Sequence, residues 1–290
     1  QMLTNVMFAL AQSKEASSEN ICFFDEEVHK KKEFENFIES NMQQALDSQC
    51  FEMVLQPKID LQTNSVIAAE ALVRWRLEDG TYLPPSSFVD IFEKNLFCSK
   101  LDFYMLKKAI QQIRKWIDMG MNPVNISVNQ SKIVFYHENY ISELKSLLEE
   151  YNVLGSYITL EVLESTVIED IDMFNSILTE VKKLGYSVSL DDFGSGYSSL
   201  NVLSKLQIDE LKIDRIFLHT KSEVDNQRTK WILESIIDIA KKSQILVVVE
   251  GVESKQDDLF IKNLGADVGQ GYFYGRPLSI SAFNDLIETK

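Results

Sequence analysis

The chain changes rhythm near residue 50. In DEEVHKKKEFENFIESNMQQAL, residues 25–46, Phe34, Phe37, Ile38, Met42 and Leu46 form one stripe on a charged segment, the spacing of a surface helix. Upstream, MLTNVMFALAQSKEA reads as a short amphipathic helix and ICFF as a strand, with nothing nearby to complete a core. Residues 1–24 are therefore expected to be the tail of a preceding domain, 25–46 a linker helix, and 47–290 a barrel. From residue 51 the period is that of strands alternating with helices. FEMVLQPKID (51–60) and SVIAAEALVRW (65–75) flank a QTN-containing turn and predict a hairpin. Pro84 and Pro85 introduce a helix, with Ser87 and Asp90 as its capping pair. Helices near 99–118, 138–151, 171–184, 226–242 and 255–264 then alternate with PVNISVNQS, YITLEVLES, SVSLDD, IDELKID, ILVVVEG and DVGQGY. About eight strands over some 240 residues predict an α/β fold closed into a (β/α)8 barrel. The alternative is an open doubly wound sheet, but no Gly-x-Gly-x-x-Gly follows the first strand.

Polar residues keep to one parity within each strand. Glu70, Leu72 and Arg74 oppose Ile67, Ala69, Ala71 and Val73; Asn125, Ser127 and Asn129 oppose Val124, Ile126 and Val128. Thr159 and Glu161 share one parity, as do Glu210, Lys212 and Asp214, while Glu250 and Gln270 each end a strand. If helices cover the outside of a barrel, the polar parity points inward. Ionised groups cannot stay unpaired in a dry core, so they are predicted at the C-terminal mouth. The centre of this set is SVSLDDFGSGYSSL, residues 187–200, where Asp191 and Asp192 precede a turn carrying Gly194 and Gly196. The inward set comprises Glu70, Asn129, Glu161, Asp191, Asp192 and Glu250, with Lys212 its only cation near the strand ends apart from Arg74. These donors are all oxygens, which favours Mg²⁺ or Mn²⁺ over zinc. Two ions fit the charge better than one, because an Asp pair can bridge metals about 3.5–4 Å apart, as in in-line phosphoryl displacement. A bland alternative makes the carboxylates salt-bridge partners, and the shortage of inward cations weakens it. His29, His137 and His219 lie outside the set.

Composition narrows the partners. A formal charge of −15 and a pI near 4.7 argue against DNA, RNA or an anionic membrane as partner. They leave room for an anionic small ligand held through bound cations. Cys22, Cys50 and Cys98 are far apart and lack a Cys-x-x-Cys arrangement, which fits a reducing compartment and offers no cysteine zinc site. No apolar run approaches the roughly 18 residues of a membrane span, and the N-terminus lacks a signal-peptide layout. The segment is expected to be cytoplasmic, without membrane contact of its own, whether or not the longer protein is anchored.

Glu70-Ala71-Leu72 within QPKIDLQTNSVIAAEALVRW resembles the motif that names the EAL domains, bacterial phosphodiesterases for cyclic di-GMP. The resemblance runs from about residue 40 to the C-terminus through VNQS, LEVLES, DDFGSGYSSL, LKIDR, VVEGVES and QGYFYGRPL, in family order. It implies a modified TIM barrel whose first strand is antiparallel, and hydrolysis of cyclic di-GMP to pGpG by a metal-bridging water. Glu70, Asn129, Glu161 and Asp191 would hold one divalent cation, Mg²⁺ or Mn²⁺, and Asp191, Asp192 and Glu250 the second. Lys212 matches a lysine that contacts the attacking water, and Gln270 a glutamine that helps orient it. Gln56, Leu72 and Arg74 match substrate-contacting positions, and Asp214 and Glu253 are expected to face a base or ribose. Glu164 matches a glutamate that props the loop after Asp192, which couples the metal site to homodimerisation through the barrel. The N-terminal piece resembles the end of a GGDEF domain, so upstream GGDEF and sensor domains are expected.

Four positions depart from the usual family pattern. Leu163 stands for Thr, Gln130 for Leu, Ser195 for Thr and Asn64 for Gly; none is a metal ligand, and Asn tolerates positive φ. Two rival readings remain at this point. One is a receptor of the family that binds cyclic di-GMP without cutting it, and the other a partner-docking barrel, which would need no inward carboxylates.

Overall fold

The computed structural model describes residues 26–167, 171–194, 203, 205–218 and 223–288. Residues 1–24, residues 195–200 of the GSGYSSL loop, which include Ser195 and Gly196, and His219 lie outside them. Helix α1 (Glu26–Asp47) precedes the hairpin of β1 (Phe51–Asp60) and β2 (Val66–Arg76). A short strand β3 (Tyr82–Leu83) pairs with β2 and leads to α2 (Val89–Lys94) and α3 (Cys98–Asp118). Then follow β4 (Asn125–Gln130), α4 (Tyr140–Tyr151), β5 (Ile158–Leu163), α5 (Glu164–Val167), α6 (Ile171–Lys183) and β6 (Ser187–Phe193). The series ends with β7 (Glu210–Ile213), α7 (Glu223–Lys242), β8 (Leu246–Val249), α8 (Lys255–Leu264), β9 (Val268–Gln270) and α9 (Ile280–Glu288).

The strand order β1-β9-β8-β7-β6-β5-β4-β2 closes on itself because β1 also pairs with β2. From β2 through β9 the neighbours are parallel, while β1 is antiparallel to both β2 and β9. This is the modified (β/α)8 barrel with an antiparallel first strand that the hairpin signal and the family resemblance predict. Asn64 turns the hairpin at φ 56°, a left-handed angle Asn accepts more readily than most residues. Half-buried aspartates pin the lower rim: Asp209 accepts from the Val188 N–H at 2.9 Å, and Asp267 from the Val247 N–H at 3.0 Å. Each bond satisfies a strand-end amide that the ladder leaves open.

The outward strand residues meet the helices in one apolar layer. Ala69, Ile126, Val128, Leu160, Val188, Leu211 and Val247 are buried there, opposite faces such as Leu106, Ile110 and Ile113 of α3. An aromatic cluster of Phe51, Trp75, Phe88, Phe92 and Phe97 fills the corner beside the hairpin. Helix α1 docks on the same corner through Ile38 and Ala45, with Phe37 stacked at 6.4 Å on Trp75. The expected Ser87–Asp90 cap is absent. Pro85–Ser87 form a separate 3₁₀ turn and Phe88 takes the N-cap of α2 without a side-chain bond, because its ring is wholly buried in the aromatic cluster. A capping box does form at α8, between Ser254 and Asp257.

Candidate active site

Adjacent residues of a strand normally face opposite sides, yet Asp191 and Asp192 both serve the mouth. The cause is local. Asp192 sits at φ 57°, in the left-handed region, and the β6–β7 register shifts between Leu190 and Phe193. This irregularity re-aims a side chain in the manner of a β-bulge. Asp191 Oδ1 accepts from the Asp192 N–H at 2.8 Å and steadies the turn. Asp191, Asp192 and Glu250 each offer a carboxylate oxygen, and the three atoms lie within 4.8 Å of one another.

Lys212 stands at the centre of the ring. Its Nζ lies 2.7 Å from Glu250 Oε1, 2.8 Å from Glu161 Oε2, 3.0 Å from Asp191 Oδ1 and 3.6 Å from Glu70 Oε2. Glu70 is also fixed by Asn129, whose Nδ2 donates to Oε1 at 3.1 Å, and by Gln270, whose Nε2 donates to Oε2 at 2.5 Å. A cavity of about 250 Å³ opens over this ring, lined by Gln56, Glu70, Asp191, Lys212, Glu250, Glu253 and Gln270. Arg215, Gly251, Gly271 and Tyr272 complete its wall.

Burial and charge push these groups in opposite directions. Burial raises the Glu250 carboxyl to about 8, only partly offset by Lys212. Glu70 and Asp191 are raised for the same reason, and Asp192 by burial and the nearby Asp214. Burial would also raise Glu161, but Lys212 and Lys58 outweigh it and hold that carboxyl near 2. The Lys212 ammonium stays charged, well above its usual range, because Asp191, Glu161 and Glu250 overcome its desolvation.

Lys58 corrects the expectation that Lys212 is the one inward cation besides Arg74. It is completely buried and bonds Ser127 Oγ at 2.7 Å, Glu161 Oε1 at 2.8 Å and Glu210 Oε1 at 2.8 Å. Its parity with Gln56 was legible, but β1 runs antiparallel, so its later residues sink below the mouth. Arg215 and Tyr272 were also not anticipated. Arg215 follows Asp214 directly, and its stem rests on Gly251 at φ +66°, where a Cβ would stand 2.3 Å from the Arg215 Cβ. Tyr272 is 54% exposed, with the Arg276 guanidinium carbon 4.3 Å from its ring centroid.

The remaining predicted residues are spread around the rim. Leu72, Asn129 and Leu163 line a second, mostly apolar cavity of about 390 Å³, together with Asp102 and Ser131. Arg74 is half-buried and donates to the Val73 carbonyl at 2.8 Å. Asp214 caps the 3₁₀ turn Arg215–Phe217 through the Ile216 N–H, and Glu253 is exposed. Glu164 is buried at the start of α5; beyond Gly194, the loop it was expected to prop lies outside the described residues.

The donor set suits a hard cation. The ring consists of oxygens with neither sulfur nor imidazole, and the buried Gln270 Oε1 has no hydrogen-bond partner among the described residues. Asp191, Asp192 and Glu250 could hold such an ion directly, with Glu70, Asn129 and Glu161 beside them.

A parallel barrel entered by an antiparallel hairpin, with carboxylates gathered at its C-terminal mouth, defines the class as a TIM-barrel-like domain with an acidic cluster at its mouth. Residues 39–277 match the EAL domain family, and the chain belongs to it. It is 32% identical over 287 residues to cyclic di-GMP phosphodiesterase NbdA of Pseudomonas aeruginosa, covering 99% of this chain and 36% of that protein. It is 30% identical over 276 residues to cyclic di-GMP phosphodiesterase PdeR of Escherichia coli, covering 95% and 41%. The chain thus spans well under half the length of these relatives. Among solved structures, the PaMucR phosphodiesterase in complex with c-di-GMP superposes with a TM-score of 0.78 at 32% identity, covering 85% of this chain and 99% of that one. The EAL enzyme Bd1971, with cAMP and cyclic di-GMP bound, gives 0.80 at 27% identity, covering 99% and 75%.

Proposed function

We propose that this chain hydrolyses cyclic di-GMP to linear pGpG with the help of two divalent cations, Mg²⁺ or Mn²⁺. The observation that carries the reading is a charge balance. Among the described residues, Lys58 and Glu210 offset each other on the barrel floor, and above them five carboxylates, Glu70, Glu161, Asp191, Asp192 and Glu250, face the buried ammonium of Lys212. The four negative charges left over are what two divalent cations carry, and a barrel mouth cannot hold that excess bare without cost. Named relatives that act on cyclic di-GMP support the same substrate.

Cations bound there would supply the positive charge that polarises phosphoryl oxygens and acidifies water. The chain's own groups would do the rest. Lys212 would donate to the attacking water, since its ammonium lies among the oxygens that face the cavity. Gln270, with Nε2 committed to Glu70, keeps Oε1 to accept a hydrogen bond from that water and orient it. The water oxygen would bond to phosphorus as the bond to the ribose 3′ oxygen breaks, and a proton would pass to that leaving oxygen. Gln56, Leu72, Arg74, Asp214 and Glu253 would hold the nucleotide across the rim, Arg74 as a phosphate partner. Glu164 would act on the loop after Asp192.

The proposal extends to a homodimer and to an upstream GGDEF domain. The relative MucR of Pseudomonas aeruginosa, a bifunctional diguanylate cyclase and cyclic di-GMP phosphodiesterase, is 30% identical over 278 residues and supports the latter. Among the described residues no helix is long and apolar enough to cross a membrane, in keeping with a cytoplasmic setting for the segment. The test is direct. Purified chain, cyclic di-GMP and Mn²⁺ or Mg²⁺ should yield pGpG; tight binding without product would instead support the receptor reading.

A further inference from the structure

We propose that Lys58 is a positioning residue that presets Glu161 for cation binding, an inference that rests on the metal-dependent reading above. Glu161 is sandwiched between two ammonium groups: Lys58 holds Oε1 from below, and Lys212 meets Oε2 from the mouth side, both at 2.8 Å. Lys58 is itself anchored at 2.7 Å by Ser127 on β4 and at 2.8 Å by Glu210 on β7. Four strands, β1, β4, β5 and β7, therefore converge on one buried nitrogen. With Oε1 committed to the floor, only Oε2 faces the mouth, so Glu161 is set to offer a single oxygen in a fixed direction. Fixing the far side of a ligand in this way is how outer partners tune a metal site, and their loss typically costs about 10–100-fold in metal affinity or activity.

A purely structural lysine would stabilise the barrel without affecting ion binding. The two roles separate in a charge-balanced variant. Lys58→Met with Glu210→Leu removes one positive and one negative charge, so the mouth's net charge is unchanged. Buried ion pairs replaced by apolar residues of similar volume often fold as well or better. Glu210→Gln serves as the comparison, because it keeps an acceptor for Lys58 and leaves the bond to Glu161 in place.

Mn²⁺ binding is measured by calorimetry on the full chain, with a thermal melt to establish folding, and kcat and KM for cyclic di-GMP alongside. The double variant should bind Mn²⁺ at least about 10-fold more weakly and lose kcat with little change in KM, whereas Glu210→Gln should stay within about 3-fold of wild type. Unchanged Mn²⁺ binding in a folded double variant overturns the inference, as does an equal loss in Glu210→Gln. If the double variant does not fold, Lys58→Gln with Glu210→Gln carries the same expectation and the same refutation. A wild-type chain that takes up no Mn²⁺ overturns the proposed function and this inference together, whereas normal wild-type turnover with an unaffected variant overturns the inference alone.

Discussion

The floor and the mouth of the barrel use the same two residue types to opposite ends. On the floor, Lys58 lies between Glu161 and Glu210, with Lys212 on the far side of Glu161, and every charge there has a close partner. Glu161 is accordingly held near 2 despite its burial. At the mouth, Lys212 must serve Glu70, Asp191 and Glu250 as well, and their carboxyls are raised, Glu250 to about 8. Buried acids go low when enough cations face them and high when they outnumber them. The floor is electrostatically complete, and the mouth becomes so only when it gains positive charge.

The largest effect should come from emptying or breaking the mouth. EDTA is expected to abolish hydrolysis of cyclic di-GMP and Mn²⁺ or Mg²⁺ to restore it, read as pGpG by chromatography; full activity in EDTA would sink the cation-dependent reading. Asp191→Asn should cut turnover by more than the roughly 100-fold upper range of an outer-partner change.

Lys212→Ala comes next. Turnover should fall by about 10²–10⁴-fold, the range of a lost proton-handling group, while much of the cyclic di-GMP affinity survives. The same change removes the counter-charge of several buried carboxylates, a loss of about 3–5 kcal/mol without metal. A melt should show that deficit shrinking when Mn²⁺ is added. If affinity and rate fell together, Lys212 would be a binding residue.

Asp192 offers a sharper contrast between stability and function. Its left-handed angle costs about 1–2 kcal/mol for a residue with a Cβ, and its carboxylate adds repulsion. Asp192→Gly should therefore leave the metal-free melting temperature equal or higher while lowering Mn²⁺ affinity and turnover. A lower melting temperature with unchanged turnover would show that the bend is structural.

The smallest effect concerns Asp102, away from both charge layers. Burial pushes its carboxyl up to about 7, although Ser131 donates to it from Oγ and from the backbone N–H. The folded state thus binds this proton more tightly than an unfolded chain, whose value is near 3.9. Stability from this group is complete below about pH 4 and is lost as the pH rises to about 7. Asp102→Asn should narrow the difference in melting temperature between pH 5 and pH 8, and an unchanged difference would count against that titration.

Much of this protein was written in local pattern. Strand–helix alternation and the polar parity of the strands determined a barrel, its hairpin entry and its row of inward oxygens, because period and direction are properties of a few consecutive residues. The motifs around Glu70, Asp191 and Lys212 determined the family. The tertiary structure decided what depends on distance across the barrel. Lys58 joins Glu161 and Glu210 from 103 and 152 residues away, and only closure of β1 against β2 and β9 brings it to the floor. Asp192 faces its neighbour's side because of a left-handed angle that Asp accepts but does not announce. Phe88 displaced the Ser87–Asp90 cap because aromatic burial in the corner outweighs a side-chain bond at a helix end. Local sequence sets which groups a strand presents, but only the closed barrel sets which charges must share a counter-ion.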